Sequence, residues 1–311
     1  LLKKFGPKFE RAAVGSDPAL KVKLPPTPAE KRAATKAKLS ERELHKAAQA
    51  ELSAEEVREK IFGLSAVPAA PPPWVEEAPA AASVTGTPLT IWSDWHLGEV
   101  VDPASVNGVN AFNLEIADRR IVRLVDRTVA LCFEHMTSPT FPGVVVCLGG
   151  DIVTGEIHDE LKTTNDDYIL PTVLWARDHI CAALSRMADK FGRVFVPCVA
   201  GNHGRTTKRV EMKHFIYKNF DWLIYNLCER HFKDRGDARV QFYIPTSNEA
   251  LFRVYDHKFL MLHGHDLGVK GGDGIIGALG PILRGRLKVG AQQAAVGRDF
   301  DTLLLGHWHQ Y

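Results

Sequence analysis

The sequence predicts a layered α/β domain, with mixed β-sheets flanked by helices and a basic, partly helical extension in front of it. Three observations predict it. From residue 89 onward, short apolar runs alternate with long stretches of helical period. Residues 65–88 are rich in Ala and Pro, with Pro71-Pro72-Pro73 followed by Trp74. Residues 1–50 carry twelve Lys or Arg against five Asp or Glu, a balance of +7 in a chain whose net charge is +2.

In chain order, the first 26 residues mix lysines with Pro7, Pro18, Pro25 and Pro26 without a sustained period, and read as an extended arm. Thr27-Pro28-Ala29-Glu30 has the form of a capping box with Pro at the first helical position, and a second box runs from Ser53 to Glu56 ahead of Val57, Ile61, Phe62 and Leu64. Helices with such narrow apolar stripes need something to dock on. The segment 65–88 reads as a semi-rigid linker, which divides the chain into an extension over 1–64 and a domain over 89–311. In that domain Leu89 to Ser93, Val144 to Leu148 and Val194 to Val199 read as strands, and Leu114 to Phe133, Val173 to Met187 and Phe215 to Phe232 as helices. Val240 to Tyr243, Leu251 to Tyr255, Phe259 to Leu262 and Thr302 to Leu305 complete a strand-rich second half. Gly264 to Gly290 is glycine-rich, carries Lys270, Arg284, Arg286 and Lys288, and reads as a mobile basic loop.

Composition narrows the class. With 45% apolar and 24% charged residues and no apolar run near the ~18 residues that span a bilayer, no membrane segment is expected. No secretory signal opens the chain, whose first residue is Leu1, so residues upstream are expected. The five cysteines lie in apolar stretches with no C-x-x-C pair, which argues against a disulfide framework or a structural zinc site and fits a reducing cytoplasm.

Chemistry-bearing residues follow the apolar runs, where open α/β sheets place their ligand sites. Leu89 to Ser93 leads to Asp94-Trp95-His96, Val144 to Leu148 to Gly149-Gly150-Asp151, and Val194 to Ala200 to Gly201-Asn202-His203. Phe259 to Leu262 leads to His263-Gly264-His265, and Thr302 to Leu305 to Gly306-His307-Trp308-His309. Imidazoles and carboxylates without thiolate suit Mn²⁺, Fe or Zn²⁺ better than the all-oxygen cations Mg²⁺ and Ca²⁺.

The order D-x-H, G-D, G-N-H, H, G-H-x-H resembles that of the calcineurin-like metallophosphoesterase superfamily, which includes protein phosphatases, cyclic nucleotide diesterases and DNA-repair nucleases. The resemblance covers residues 89–309. It implies that Asp94, His96 and His309 hold one divalent metal ion, that Asn202, His263 and His307 hold another, and that Asp151 bridges the two. It also implies that His203 is catalytic, donating a proton to the leaving oxygen. His265 competes with His263 for its place, since either side chain can face such a site.

This chain departs from the family in two places. Phosphatases of the superfamily commonly carry an acidic residue after G-N-H, and an Asp three residues past the second motif's Asp that orients the catalytic histidine; here Gly204 and Thr154 stand there. Glu156, His158 and Asp159 lie near enough in sequence to substitute, His158 being the candidate for contact with substrate. Arg205 offers a guanidinium that can bind phosphate in bidentate fashion.

The function expected is hydrolysis of phosphate esters with two divalent metal ions, Mn²⁺ foremost. The basic segments, and a looser similarity of G-N-H-G-R to phage-encoded members described as DNA-repair nucleases, favour a DNA phosphodiester as the partner substrate. A phosphomonoesterase or cyclic nucleotide diesterase is the alternative, and a non-catalytic scaffold a further one. With only two residues after His309, a C-terminal continuation of the domain is expected.

Overall fold

The computed structural model describes residues 56–65, 67, 69–78, 85–209, 211, 215–267 and 279–309, with residues 38, 41, 42 and 45 singly. Contacts divide the chain into two units, Leu1–Ala48 and Gln49–Tyr311. In the first, Lys38, Glu41, Arg42 and His45 have helical backbone; the arm and the box at Thr27 lie outside the described residues. Everything below concerns the second unit.

Four parallel strands make one sheet in the order β1 (Leu89–Trp92), β2 (Val144–Leu148), β3 (Val194–Pro197), β4 (Val240–Tyr243). A second sheet pairs β5 (Glu249–Val254) antiparallel to β6 (His257–Leu262), and β6 parallel to β7 (Thr302–Leu305). Helices α1 (Leu114–Phe133), α2 (Ile169–Phe191), α3 (Phe220–Asp234) and α4 (Leu279–Ala295) complete the unit.

The alternation of side chains along each strand explains the layering. Val144, Val146 and Leu148 of β2 and Val194 and Val196 of β3 share one core cluster with Ile121 and Val125 of α1, Ile180 and Leu184 of α2 and Ile224 and Tyr225 of α3. Val145, Cys147 and Phe195, on the opposite face, pack against Ala250, Phe252 and Met261 of the second sheet. Leu260 and Leu262 point the other way again, onto Leu267 and Val289 of α4. The order is helices, parallel sheet, mixed sheet, helix. Strands buried on both faces read as unbroken apolar runs, and so VVVCL was legible as a strand. All five cysteines are free and four are buried in this core. None of the described helices is long and apolar enough to cross a membrane.

Two expectations change. The compact unit begins at Gln49, upstream of the 65–88 segment read as a linker, because the preceding turn finds apolar and ionic partners. Phe62 and Leu64 enter the main core, Phe62 edge-on to Trp222 of α3. Arg58, only 4% exposed, pairs with Glu229 at 3.2 Å, donates to Ser65 O at 2.8 Å and also bonds Asn226. Within 65–88, Pro73–Glu76 forms a helical turn that buries Val75 between the sheets. The second change is in the basic loop. From 279 onward the structure has α4, in which Arg284, Arg286 and Lys288 are helical; Lys270 lies outside the described residues. Gly285 lets the helix close on Leu267, since a β-carbon there would sit 3.0 Å from its side chain.

Leu64→Ala tests the docked turn: a buried Leu at a well-packed site costs about 2–5 kcal/mol when truncated. Urea denaturation of the variant should show a loss of that size, and a loss below about 0.5 kcal/mol would mean the turn is not part of the core.

Candidate metal centre

Register brings the ligand-bearing segments together. Trp92 pairs with Leu148 and Leu262 with Leu305, so each pair of parallel strands releases its following residues side by side. At the ends of β1 and β2 the chains stay hydrogen-bonded past the strands: Asp94 N donates to Gly150 O at 3.0 Å and His96 N to Asp151 O at 3.0 Å. The two sheets are tied where they end, because His263 Nδ1 donates to Gly149 O at 2.8 Å and His307 N to Asp94 Oδ1 at 2.9 Å.

The backbone at these ends is unusual. Among the described non-glycine residues with positive φ are Asp94 (58°), His96 (47°), Asp151 (50°), His307 (69°) and His309 (48°). Left-handed backbone in residues with side chains is costly and persists where surrounding bonds over-determine it, as it commonly does at functional sites.

Three sets of side chains bring ligand atoms within 4.8 Å of one another: Asp94, His96 and His309; His96, Asp151 and His203; and Asp151, His263 and His307. In the first, Asp94 Oδ1 lies 3.2 Å from His309 Nε2, and the Nε2 atoms of His96 and His309 face each other at 3.2 Å. In the third, His263 Nε2 lies 2.9 Å from Asp151 Oδ2, close enough for the two atoms to meet a common cation. Asp151 and His263 are 1% exposed. Burial opposes charge on Asp151, but His263 and the His203 amide, which donates to Asp151 Oδ1 at 2.6 Å, outweigh it and hold the carboxyl well below the usual range. For His263 burial works downward and Asp151 upward, with a result near 9. Burial carries His96 down to about 4, with His203 and His309 adding to the shift and Asp151 opposing it, so His96 is an unprotonated donor at neutral pH.

The donor set fits divalent metal. Asn202 Oδ1 is buried with no hydrogen-bond partner, an arrangement that a neutral oxygen tolerates when a cation completes it. His265 enters none of the three sets; its ring is 5.6 Å from that of His263 and lies against Phe215 at 4.9 Å. Of the two competing histidines, His263 is therefore the one brought to Asp151 and His307.

His203 is oriented by main chain. Its Nδ1 is 3.2 Å from Thr154 O, and Thr154 is itself fixed by its hydroxyl, which donates to Glu99 Oε2 at 2.8 Å. Gly155 (φ +67°) makes the approach possible, since a β-carbon there would fall 2.1 Å from His203 O. At position 154 it is thus a main-chain carbonyl, which every residue carries, that faces His203. Glu156, His158 and Asp159 do not take that place: His158 is exposed and belongs to none of the ligand sets, and Asp159 pairs with Lys162 and Lys208. Arg205 is engaged with the main chain of its own loop. Its guanidinium donates to Asn202 O at 2.6 Å, Thr207 O at 3.0 Å and Lys208 O at 3.3 Å, stapling the loop that carries Asn202 and His203.

Sequence reasoning missed Asp221. Fully buried at the start of α3, its carboxylate accepts from Asp151 N at 2.9 Å, Gly201 N at 2.8 Å and Ile152 N at 3.1 Å. Burial, with the charge of Asp151, pushes its pKa up to about 7. The signal that marks it is Asn219, whose Oδ1 caps the helix by accepting from Asp221 N at 2.8 Å; a helix read as starting at Phe215 conceals that cap.

No protein-family model matches the chain, and no curated protein matches it.

Cation binding has a direct test. At Mn²⁺ a hundredfold above its dissociation constant, a ligand that binds only the folded chain adds about 2.7 kcal/mol of stability. Thermal melts should show the midpoint of the parent protein rising with Mn²⁺ and that of Asp151→Asn failing to follow. A parent midpoint indifferent to Mn²⁺, Zn²⁺ and Fe²⁺ alike would rule the centre out.

Proposed function

We propose that this chain is a calcineurin-like metallophosphoesterase that hydrolyses phosphate esters with two divalent cations, Mn²⁺ in first place and Fe or Zn²⁺ as chemically suited substitutes. The observation that carries the reading is a chain of three overlapping ligand sets, the first two joined through His96 and the last two through the buried carboxylate of Asp151. Asp94, His96 and His309 would hold one cation and Asn202, His263 and His307 the other, with Asp151 common to both. Such a pair, when bound, lowers the pKa of water and offsets charge on the phosphoryl oxygens.

The chain's own groups supply the rest. Thr154 O accepts from His203 Nδ1, so Nε2 is the ring nitrogen left to hand a proton to the departing oxygen. Asp94 Oδ1 fixes the His307 amide and with it the turn that presents His307 and His309. Burial of Asp151 and His263 removes competing water and strengthens every charge interaction around them. For the ester itself we propose a DNA phosphodiester, supported by the +7 balance of residues 1–50 and by the cations Arg284 and Arg286 on α4.

Single-stranded DNA, duplex DNA, a cyclic nucleotide and p-nitrophenyl phosphate offered to the Mn²⁺-loaded protein separate the readings. Cleavage of DNA is expected. Turnover of p-nitrophenyl phosphate or the cyclic nucleotide with both DNAs untouched removes the nuclease part, and no turnover of any of the four by metal-loaded protein removes the hydrolase. His203→Ala should retain its cations and lose about 10²–10⁴-fold in kcat on an ester with a poor leaving group. Undiminished turnover of that ester would reassign the proton donor.

A further inference from the structure

We propose that Asp221 is a positioning residue for the shared carboxylate of Asp151, fixing the backbone of the β2 and β3 loops against each other so that Asp151 presents both oxygens to the two cations. The inference rests on the metal-dependent reading above.

The loops that carry Asp151 and Asn202 meet with no side chain between them. A β-carbon on Gly150 would lie 2.4 Å from Gly201 N, and one on Gly201 would lie 2.1 Å from Asp151 Oδ1 and 2.2 Å from Asp151 N. Contact this close brings the N–H groups of Asp151, Ile152 and Gly201 into one small buried space, where donors without an acceptor are expensive. Asp221 answers all three with two oxygens. Asn219 holds the other side of the same residue, since its Nδ2 donates to Gly201 O at 2.6 Å. The pair Asn219 and Asp221 therefore grips Gly201 by both its N–H and its C=O, and grips Asp151 by its N–H.

An ionised carboxylate is the one side chain of this length that accepts three N–H groups; an amide of the same shape turns a donor towards one of them. Partners of metal ligands that act in this way typically change metal affinity about 10–100-fold when removed.

The test is Mn²⁺ titration with electron paramagnetic resonance on the full chain, comparing the parent with Asp221→Asn. The parent should bind two ions and give the spectrum of an exchange-coupled pair. The folded variant is expected to bind its second ion about 10–100-fold more weakly and to lose the coupled spectrum or change its coupling. A coupled spectrum and second-ion affinity within twofold of the parent, even with a lowered melting temperature, would overturn the inference by leaving Asp221 a structural residue only. Should Asp221→Asn fail to fold, Asn219→Ser keeps a helix-capping hydroxyl while removing the donor to Gly201 O; the same direction of change is expected, and an unchanged spectrum would overturn the inference. A parent that never shows a coupled pair at saturating Mn²⁺ brings down the two-cation reading and this inference with it, an outcome read on a different protein from the others.

Discussion

Asp151 poses the problem that the rest of the site answers. A carboxylate at 1% exposure either finds donors or takes up a proton, and burial alone favours the proton. It finds the His203 amide of the β3 loop, which donates to it, and the His263 ring of the second sheet at 2.9 Å, while its own backbone amide donates to Asp221. Side chains would block the meeting of the β2 and β3 loops, where Gly150 and Gly201 stand, and the approach of His203, where Gly155 stands. The left-handed conformation of Asp151 itself follows from the same crowding, held by the His96 amide on one side and Asp221 on the other.

The architecture was legible because its cause is local. Buried on both faces, β2 leaves a continuous apolar run, and β2, β4, β7 and α1 begin and end where the apolar patterning and the helical period do. The positions of the ligands were legible for a related reason: a polar residue directly after such a run falls at a sheet's end. Pairing register then decides which ends meet, and His263 emerging beside Gly306 is a product of the parallel β6–β7 ladder.

What escaped notice depends on contacts between distant segments or on main-chain atoms. Thr154 orients His203 through its carbonyl, a group with no residue-type signature. Arg205 bonds three main-chain carbonyls of its own loop, partners that residue types do not reveal. The segment 65–88 has the composition of a linker, yet Val75 is buried between two sheets, Tyr255 N donates to Val75 O and Arg253 pairs with Glu76. Gly285 and Gly290 weaken helix propensity in α4, and there the close fit against Leu267 outweighs propensity.

The seam between the sheets has a mechanical consequence. Where the sheets end, the hydrogen bonds from His263 to Gly149 and from His307 to Asp94 are neutral or singly charged links, modest in strength. Each candidate cation would draw its ligands from both sheets, and so would rivet one layer of the sandwich to the other. Metal supply would then set the rigidity of the whole β-sandwich, and any force or partner that slides one layer over the other would be felt first as a change in how tightly the ions are held.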